Sequence, residues 1–260
     1  MIPAQMKTLF LPFLLAAALT LCASASCRAQ ATEKALDGYI GAGAVTMSRY
    51  TGSDENVTRA RPLMMFEYRE TFYVYLDRAG VRLWSTDDKK VALGIAAEPR
   101  FGFRAKDGPR LAGMATRRDR IEGGPTIEWE TDAFSLSAAY FTALTQAGSG
   151  QSLRLTLAKQ LVENDRWDVN VYAGVERDNA KTVERYFGVR SDEARADRPA
   201  YQPGASTNPV AGFTGAYKMG NGYAVLFGAN TMRLGSAAAA SPIVARKRDV
   251  TAFLGLAVAF

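Results

Sequence analysis

The final stretch, 248–260, leaves the chain the fewest ways to fold. It runs R-D-V-T-A-F-L-G-L-A-V-A-F. In an extended backbone successive side chains point to opposite faces. Val250, Ala252, Leu254, Leu256, Val258 and Phe260 therefore share one face, and Thr251, Phe253, Gly255, Ala257 and Ala259 share the other. The first face is apolar throughout and the second is mostly small. A strand of this kind belongs either in the core of a soluble sandwich or in the wall of a barrel with lipid outside and a small or polar interior. The closing aromatic residue favours the barrel, with Val250, Leu254, Leu256, Val258 and Phe260 on the lipid side of the closing strand.

Alternation continues through most of the chain from Gly38 onward, with little helical periodicity. Strands are predicted at 39–47, 61–69, 71–77, 80–85, 91–104, 123–130, 133–144, 151–162, 166–178, 210–219, 223–233 and 248–260. Pro99 cannot donate to a ladder, so a bulge is expected there. Gly41 and Gly43 suit a close approach between the first and last strands. Connections at 70, 86–90, 131–132, 163–166 and 220–222 are short, whereas those at 49–60, 105–121, 145–150, 179–209 and 234–248 are mostly longer. A transmembrane barrel with periplasmic turns and extracellular loops has this asymmetry. The expected fold is all-β: a closed antiparallel transmembrane β-barrel of about twelve strands with both termini periplasmic.

The N-terminus has the layout of an export signal. Lys7 precedes an apolar run, and Ala29-Gln30-Ala31 offers a small-x-small cleavage site. The domain plan is a signal peptide at 1–31 and a barrel at 32–260, exported to a bacterial outer membrane with cleavage near Ala31. Cys22 and Cys27 both precede the cut, so the mature chain has no thiol chemistry. Removing Lys7 and Arg28 lowers the formal charge from +6 to +4. That excess is too mild to indicate nucleic acid and suits anionic lipid head groups.

Alternation assigns the charged residues to one side of the wall. Glu98, Arg100, Arg104, Glu128, Glu130, Arg154, Asp168, Glu176 and Lys218 are candidate lumen-facing residues, nearly balanced in sign, which suggests a salt-bridged and plugged interior. Trp129, Tyr140, Trp167, Tyr217 and Tyr223 fall on the outer side near strand ends, as an interfacial girdle would. The basic loop at 105–120 has the charge to meet lipopolysaccharide phosphates.

Several chemistries are missing. The chain has no histidine, which removes Ser-His hydrolysis and the commonest metal ligand. Glu128 and Glu130 share a strand face about 7 Å apart. That spacing suits acid/base work on a sugar, but acids paired with lumen arginines are the simpler reading. No catalytic, cofactor-binding or metal-ligating residue is expected.

Motif order adds a family resemblance. Gly38-Tyr39-x-Gly41-x-Gly43 is followed by Tyr50-x-Gly52-Ser53-Asp54-Glu55, then by Asp119-Arg120-Ile121-Glu122-Gly123-Gly124, Tyr186-Phe187-Gly188-Val189, Tyr201 and Gly204. Over essentially the whole mature chain this resembles the MipA/OmpV family of outer-membrane, MltA-interacting scaffolds. The resemblance implies a non-enzymatic barrel whose partners are a murein lytic transglycosylase and a murein synthase, to which the mild positive charge and the basic loop add outer-membrane lipid and lipopolysaccharide. Its alternatives are a narrow channel for small solutes and an adhesion or osmotic-response barrel.

Overall fold

The computed structural model describes residues 35–146, 148 and 150–260. The expected signal peptide and the cleavage site at Ala31 lie outside them. Twelve strands form the wall: β1 (Leu36–Ser48), β2 (Asn56–Tyr68), β3 (Phe72–Tyr75), β4 (Arg78–Ser85), β5 (Val91–Arg100), β6 (Arg120–Glu130), β7 (Ser135–Ala143), β8 (Gln151–Glu163), β9 (Trp167–Asp178), β10 (Ser206–Gly220), β11 (Tyr223–Arg233) and β12 (Arg248–Ala259). Each strand pairs with its neighbours in sequence, and β1 pairs antiparallel with β12 to close the barrel.

The seam sets Gly41 opposite Ala257 and Gly43 opposite Gly255. A Cβ on Gly41 would strike the Leu256 carbonyl oxygen, and one on Gly43 the Leu254 carbonyl oxygen. Glycine is used here for close approach of backbones. Phe260 lies one residue past β12. Its amide donates to Gly38 O at 3.2 Å, and its ring meets Phe66 edge-on at 6.2 Å. On the outer face Leu254 and Leu256 are 60% and 63% exposed, and Val250 and Val258 are exposed beside them. Exposed leucines on β8 (Leu153, Leu155, Leu157) extend the apolar surface around the wall. Water has no use for such a belt, and lipid does.

Some boundaries differ from the sequence reading. β2 begins at Asn56, because its polar start pairs residue for residue with β1 as far as Ser48. β6 begins at Arg120, which pairs with Arg100 of β5. β5 ends at Arg100, so the strand expected to reach 104 is shorter. The connection expected at Arg78-Ala79 lies instead at Leu76-Asp77. No bulge marks Pro99: it pairs in register with Ile121 of β6, and β4 has already ended its pairing at Ala97. The register shifts fall at 82–84, 160–162 and 218–220.

Apart from the Leu76-Asp77 turn, the short connections lie with both ends of the described chain at one end of the barrel, the turn end. The other, the loop end, carries segments 49–55, 101–119, 144–146, 179–205 and 234–247. These fold into a cap containing helix α1 (Ala180–Phe187) and two small apolar cores.

Single cysteines at Leu155 and Leu256 are expected to react with lipid-soluble reagents and resist aqueous ones, while one at Arg154 resists the lipid-soluble reagent. Equal labelling of both faces would overturn the assignment. Leu256→Arg places a cation on the lipid face, at a cost approaching roughly 2–4 kcal/mol near the bilayer centre, and lowers the heat-modifiable fraction on gels.

Candidate functional site

Five strands, β4, β5, β6, β8 and β9, deliver charged residues to the loop-side half of the interior at their loop-side ends. Arg100 at the end of β5 reaches Glu122 of β6 at 3.0 Å, and Glu176 and Asp178 of β9 at 2.5 and 3.0 Å. Three strands separate β5 from β9 in the wall, so these bonds cross the interior. Arg154 of β8 bonds Glu176 at 2.8 Å, Glu122 at 3.4 Å, and Glu98. Arg78 pairs with Glu98 at 2.8 Å, and Arg120 pairs with Glu122. Ser152 donates to Asp178 at 2.6 Å, and Asn208 donates to its other oxygen at 3.2 Å. Four guanidiniums (Arg78, Arg100, Arg120, Arg154) thus meet four carboxylates (Glu98, Glu122, Glu176, Asp178) with no formal excess. Arg120 and Glu122 are about fully buried, with side chains 0% and 1% exposed.

Aromatic rings enclose this cluster. Tyr186 of α1 lies 5.6 Å from the Arg100 guanidinium and 5.2 Å from that of Arg120. Phe141 of β7 lies 5.5 and 5.0 Å from those of Arg78 and Arg154. Cations over ring faces are attracted by the ring quadrupole, more so when desolvated. Across the barrel the interior is apolar instead: Leu63, Ala216, Leu226 and Ala257 are buried together, with Tyr39, Val45, Met65, Leu76 and Phe253 against them.

Of the residues singled out from sequence, Glu98, Arg100, Arg154 and Glu176 lie in the ionic cluster. Arg104 does not. It follows the end of β5 and begins a 3₁₀ turn at 105–107 in the cap, exposed to solvent. Glu128, Glu130, Asp168 and Lys218 are at the turn end. There Arg82 bridges Glu67 and Glu128 at 2.9 and 2.8 Å, beside a cavity of about 520 Å³ that Glu130 also lines. Asp168 accepts from Asn170 at 2.8 Å, and Lys218 donates to Asn164 O at 3.3 Å. Trp129, Tyr140, Trp167 and Tyr223 are exposed on the outer wall, and the Tyr217 ring lies tilted against Trp167 at 4.7 Å.

Sequence reading passed over Arg78, Arg120, Glu122 and Asp178. Glu122 has the same parity as Glu128, and Asp178 the same as Glu176. Starting β6 at residue 123 left its two most buried charges, Arg120 and Glu122, outside the strand.

The motif residues hold the cap together. Tyr50 donates to Ile243 O at 3.0 Å, and its ring leans on Phe103. Gly52 has φ +91°, open to glycine, and its carbonyl accepts from Ala245 and Arg246 at 2.8 and 2.9 Å. Ser53 accepts from the Glu55 amide at 3.1 Å, and Asp54 O accepts from Arg246 at 3.0 Å. Phe187 is buried, and Gly188 ends α1 by donating to Glu184 O at 2.8 Å. Tyr201 donates to Ala237 O at 2.7 Å.

Two charged residues complete the cap. Arg198 is buried and donates to the carbonyls of Arg110, Ala112 and Glu193 at 2.7, 2.9 and 2.5 Å. Glu193 receives both Arg117 Nη atoms at 2.8 and 2.7 Å, and Arg190 at 3.0 Å. Burial pushes the Glu193 carboxyl up. The hydrogen bonds from Arg117 and Arg190 outweigh burial and hold it well below the usual carboxylate range.

Glu122→Gln uncovers part of the charge on three buried arginines and is expected to cost about 3–5 kcal/mol in urea unfolding. The double change Arg100→Met/Glu176→Met should cost less than the sum of its single changes. Additive costs would show that the cluster does not act as a unit. Glu193 has its folded pKa below its unfolded one, so its contribution is complete above about pH 4.3 and is lost as pH falls towards the folded value. Hydrogen exchange at the bridged Val189 and Tyr201 amides, corrected for intrinsic rate, should therefore quicken on acidification. Glu193→Gln should remove that dependence.

No curated protein matches the chain. Among solved structures it is similar to the high-pH structure of Pseudomonas putida OprB, at 13% identity and TM-score 0.38, over 70% of this chain and 47% of that one. It thus spans about half the length of that protein. It is also similar to outer-membrane expressed OmpT of Vibrio cholerae, at 7% identity and TM-score 0.38 over 88% and 99% of the two chains. Outer membrane phospholipase A from Escherichia coli matches at 9% identity and TM-score 0.34 over 89% and 94%. Likenesses this distant bring none of those proteins' activities to this chain. The family model described as MltA-interacting protein MipA matches residues 40–260, nearly the whole barrel, and the chain belongs to that family.

Proposed function

We propose that this protein is a non-enzymatic outer-membrane barrel that serves as a docking scaffold for murein-processing enzymes at its turn end. The filled interior is the observation that carries this reading. A channel needs a continuous water path. Here an ionic cluster crosses the loop-side interior, apolar side chains pack inside the wall near the seam, and folded loops cover the mouth. Function is then left to the two end surfaces.

The turn end is the one that faces the periplasm if the short turns follow the usual rule. It carries the rim charges Asp87, Asp88, Lys89, Lys90, Glu163, Asp165 and Arg166, with the Arg82 cavity behind them. Lys89 pairs with Glu70, and Lys90 approaches Asp132 at 3.9 Å. Exposed, salt-sensitive charges on tight turns bury a modest interface, which suits transient association. Catalysis has little support. No histidine is present, and the Glu128 of the paired carboxylates is engaged by Arg82.

Charge reversal at Asp87, Asp88, Glu163 and Asp165 is expected to weaken capture of a murein lytic transglycosylase and a murein synthase from detergent extracts. The Arg100→Met/Glu176→Met double change in the interior should spare it. In planar bilayers the protein should conduct at background level. Robust conductance that responds to the interior changes, without enzyme capture, would replace this reading with a narrow solute channel.

A further inference from the structure

β2 stands taller than the hairpin beside it. β3 has only four residues and pairs with Met65–Tyr68 of β2 alone, after which Leu76 N donates to Met64 O at 2.6 Å. From Leu63 back to Asn56, β2 keeps β1 on one side and, among the described residues, has no strand on the other. Across the gap, β4 stops pairing with β5 at Ala97, and β5 runs on to Arg100 against β6 alone. The wall therefore has an opening in its loop-side half. β2 and β5 form its sides, and the Leu76-Asp77 turn forms its sill. Its roof is made where the loop after β1 meets the loop after β5: Tyr50 leans on Phe103 at 6.2 Å and lies against Gly108. By strand rise the opening is about 20 Å tall.

Hydrocarbon offers no partner to a free sheet edge, so polar matter must occupy such an opening. Proline stands on both sides of it, Pro62 in β2 and Pro99 in β5. Proline cannot donate to a ladder and discourages pairing by an incoming strand, which argues against a protein partner added along the edge. The same segment of β2 carries Arg59 and Arg61 at positions of the same parity as the buried Leu63. Unlike the four arginines of the interior cluster, neither forms an ion pair among the described residues. Arg61 lies 5.6 Å from the ring of Phe101, just beyond the far side of the opening. Two guanidiniums with no carboxylate partner at a polar breach in a lipid-facing wall match one ligand class, an amphiphile with a phosphate head. Guanidinium binds phosphate through paired, charge-assisted hydrogen bonds. The acyl chains would stay outside, against the outer-face residues Ala60, Met64 and Ile95.

We propose that this opening binds the phosphate-bearing head of a membrane lipid through Arg59 and Arg61. The site requires the barrel to lie in a bilayer and does not depend on the scaffold role.

The full barrel, reconstituted in phosphatidylcholine nanodiscs containing diphosphoryl lipid A, tests this. Retained lipid is counted by native mass spectrometry. Diphosphoryl lipid A should be retained and its dephosphorylated form should not. Arg59→Gln/Arg61→Gln should lower retention by roughly tenfold or more, given the strength of charge-assisted hydrogen bonds. Arg69→Gln at the turn end should change nothing. A benzophenone side chain at Thr58, with both arginines intact, should crosslink to lipid A, and this arm stands even if the double variant fails to insert. Equal retention by the double variant, equal retention of the dephosphorylated lipid, displacement by excess inorganic phosphate, or crosslinking to a protein in place of lipid would each overturn the proposal.

Discussion

The backbone seam between β1 and β12 is the contact on which the rest of the molecule depends. A sheet in lipid cannot leave its edges unpaired at several kcal/mol per group. Closure therefore has to be completed by the first and last strands, the pair most distant in sequence. The glycines at 41, 43 and 255 let those backbones approach where any Cβ would meet a carbonyl or another backbone. Long-range pairing of this kind gains nothing until the chain is complete. Closure of the barrel thus waits on the final residues, whereas the other pairings join neighbours in sequence.

Closure creates an interior, and the two sides of that interior are filled by different physics. Near the seam the filling is apolar, with Leu63, Leu226 and Phe253 packed between small residues. Opposite, it is ionic. Desolvating eight charges is expensive, and their mutual attraction offsets this only with good geometry and satisfied lone pairs. Sharing meets that condition. Glu122 serves Arg100, Arg120 and Arg154, and Glu176 serves Arg100 and Arg154. Such a cluster fixes which strands face one another across the barrel, a specificity that apolar packing alone supplies less sharply.

The wall was legible in the sequence because its signal is strictly periodic: side chains alternate at every step, and lipid punishes error on one face. The same rule found Glu98, Arg100, Arg154 and Glu176. It failed at strand ends, where periodicity stops carrying information. Arg104 has the right parity but lies past the point where β5 leaves the wall, and Arg120 and Glu122 have the right parity in a segment read as lying outside the strand. The cap was illegible for another reason. Its buried members Leu111, Met114, Val189 and Ile243 come from three separate loops and show no period in any of them. Only tertiary folding brings them together. The opening beside β2 is a similar case, since it follows from unequal strand lengths that alternation does not encode.

The cap and the ionic cluster cannot be separated, and Tyr186 is the reason. Its ring belongs to α1 and lies over both Arg100 and Arg120, while its neighbour Phe187 is buried with Leu234 and Ala238 in the cap's own core. Lifting α1 would uncover two buried guanidiniums and dismantle that apolar core in one movement. Desolvated charges strengthen their partners and become costly when partners leave. Cap and cluster therefore stabilise each other, and the loop that carries α1 cannot swing aside while the interior stays intact.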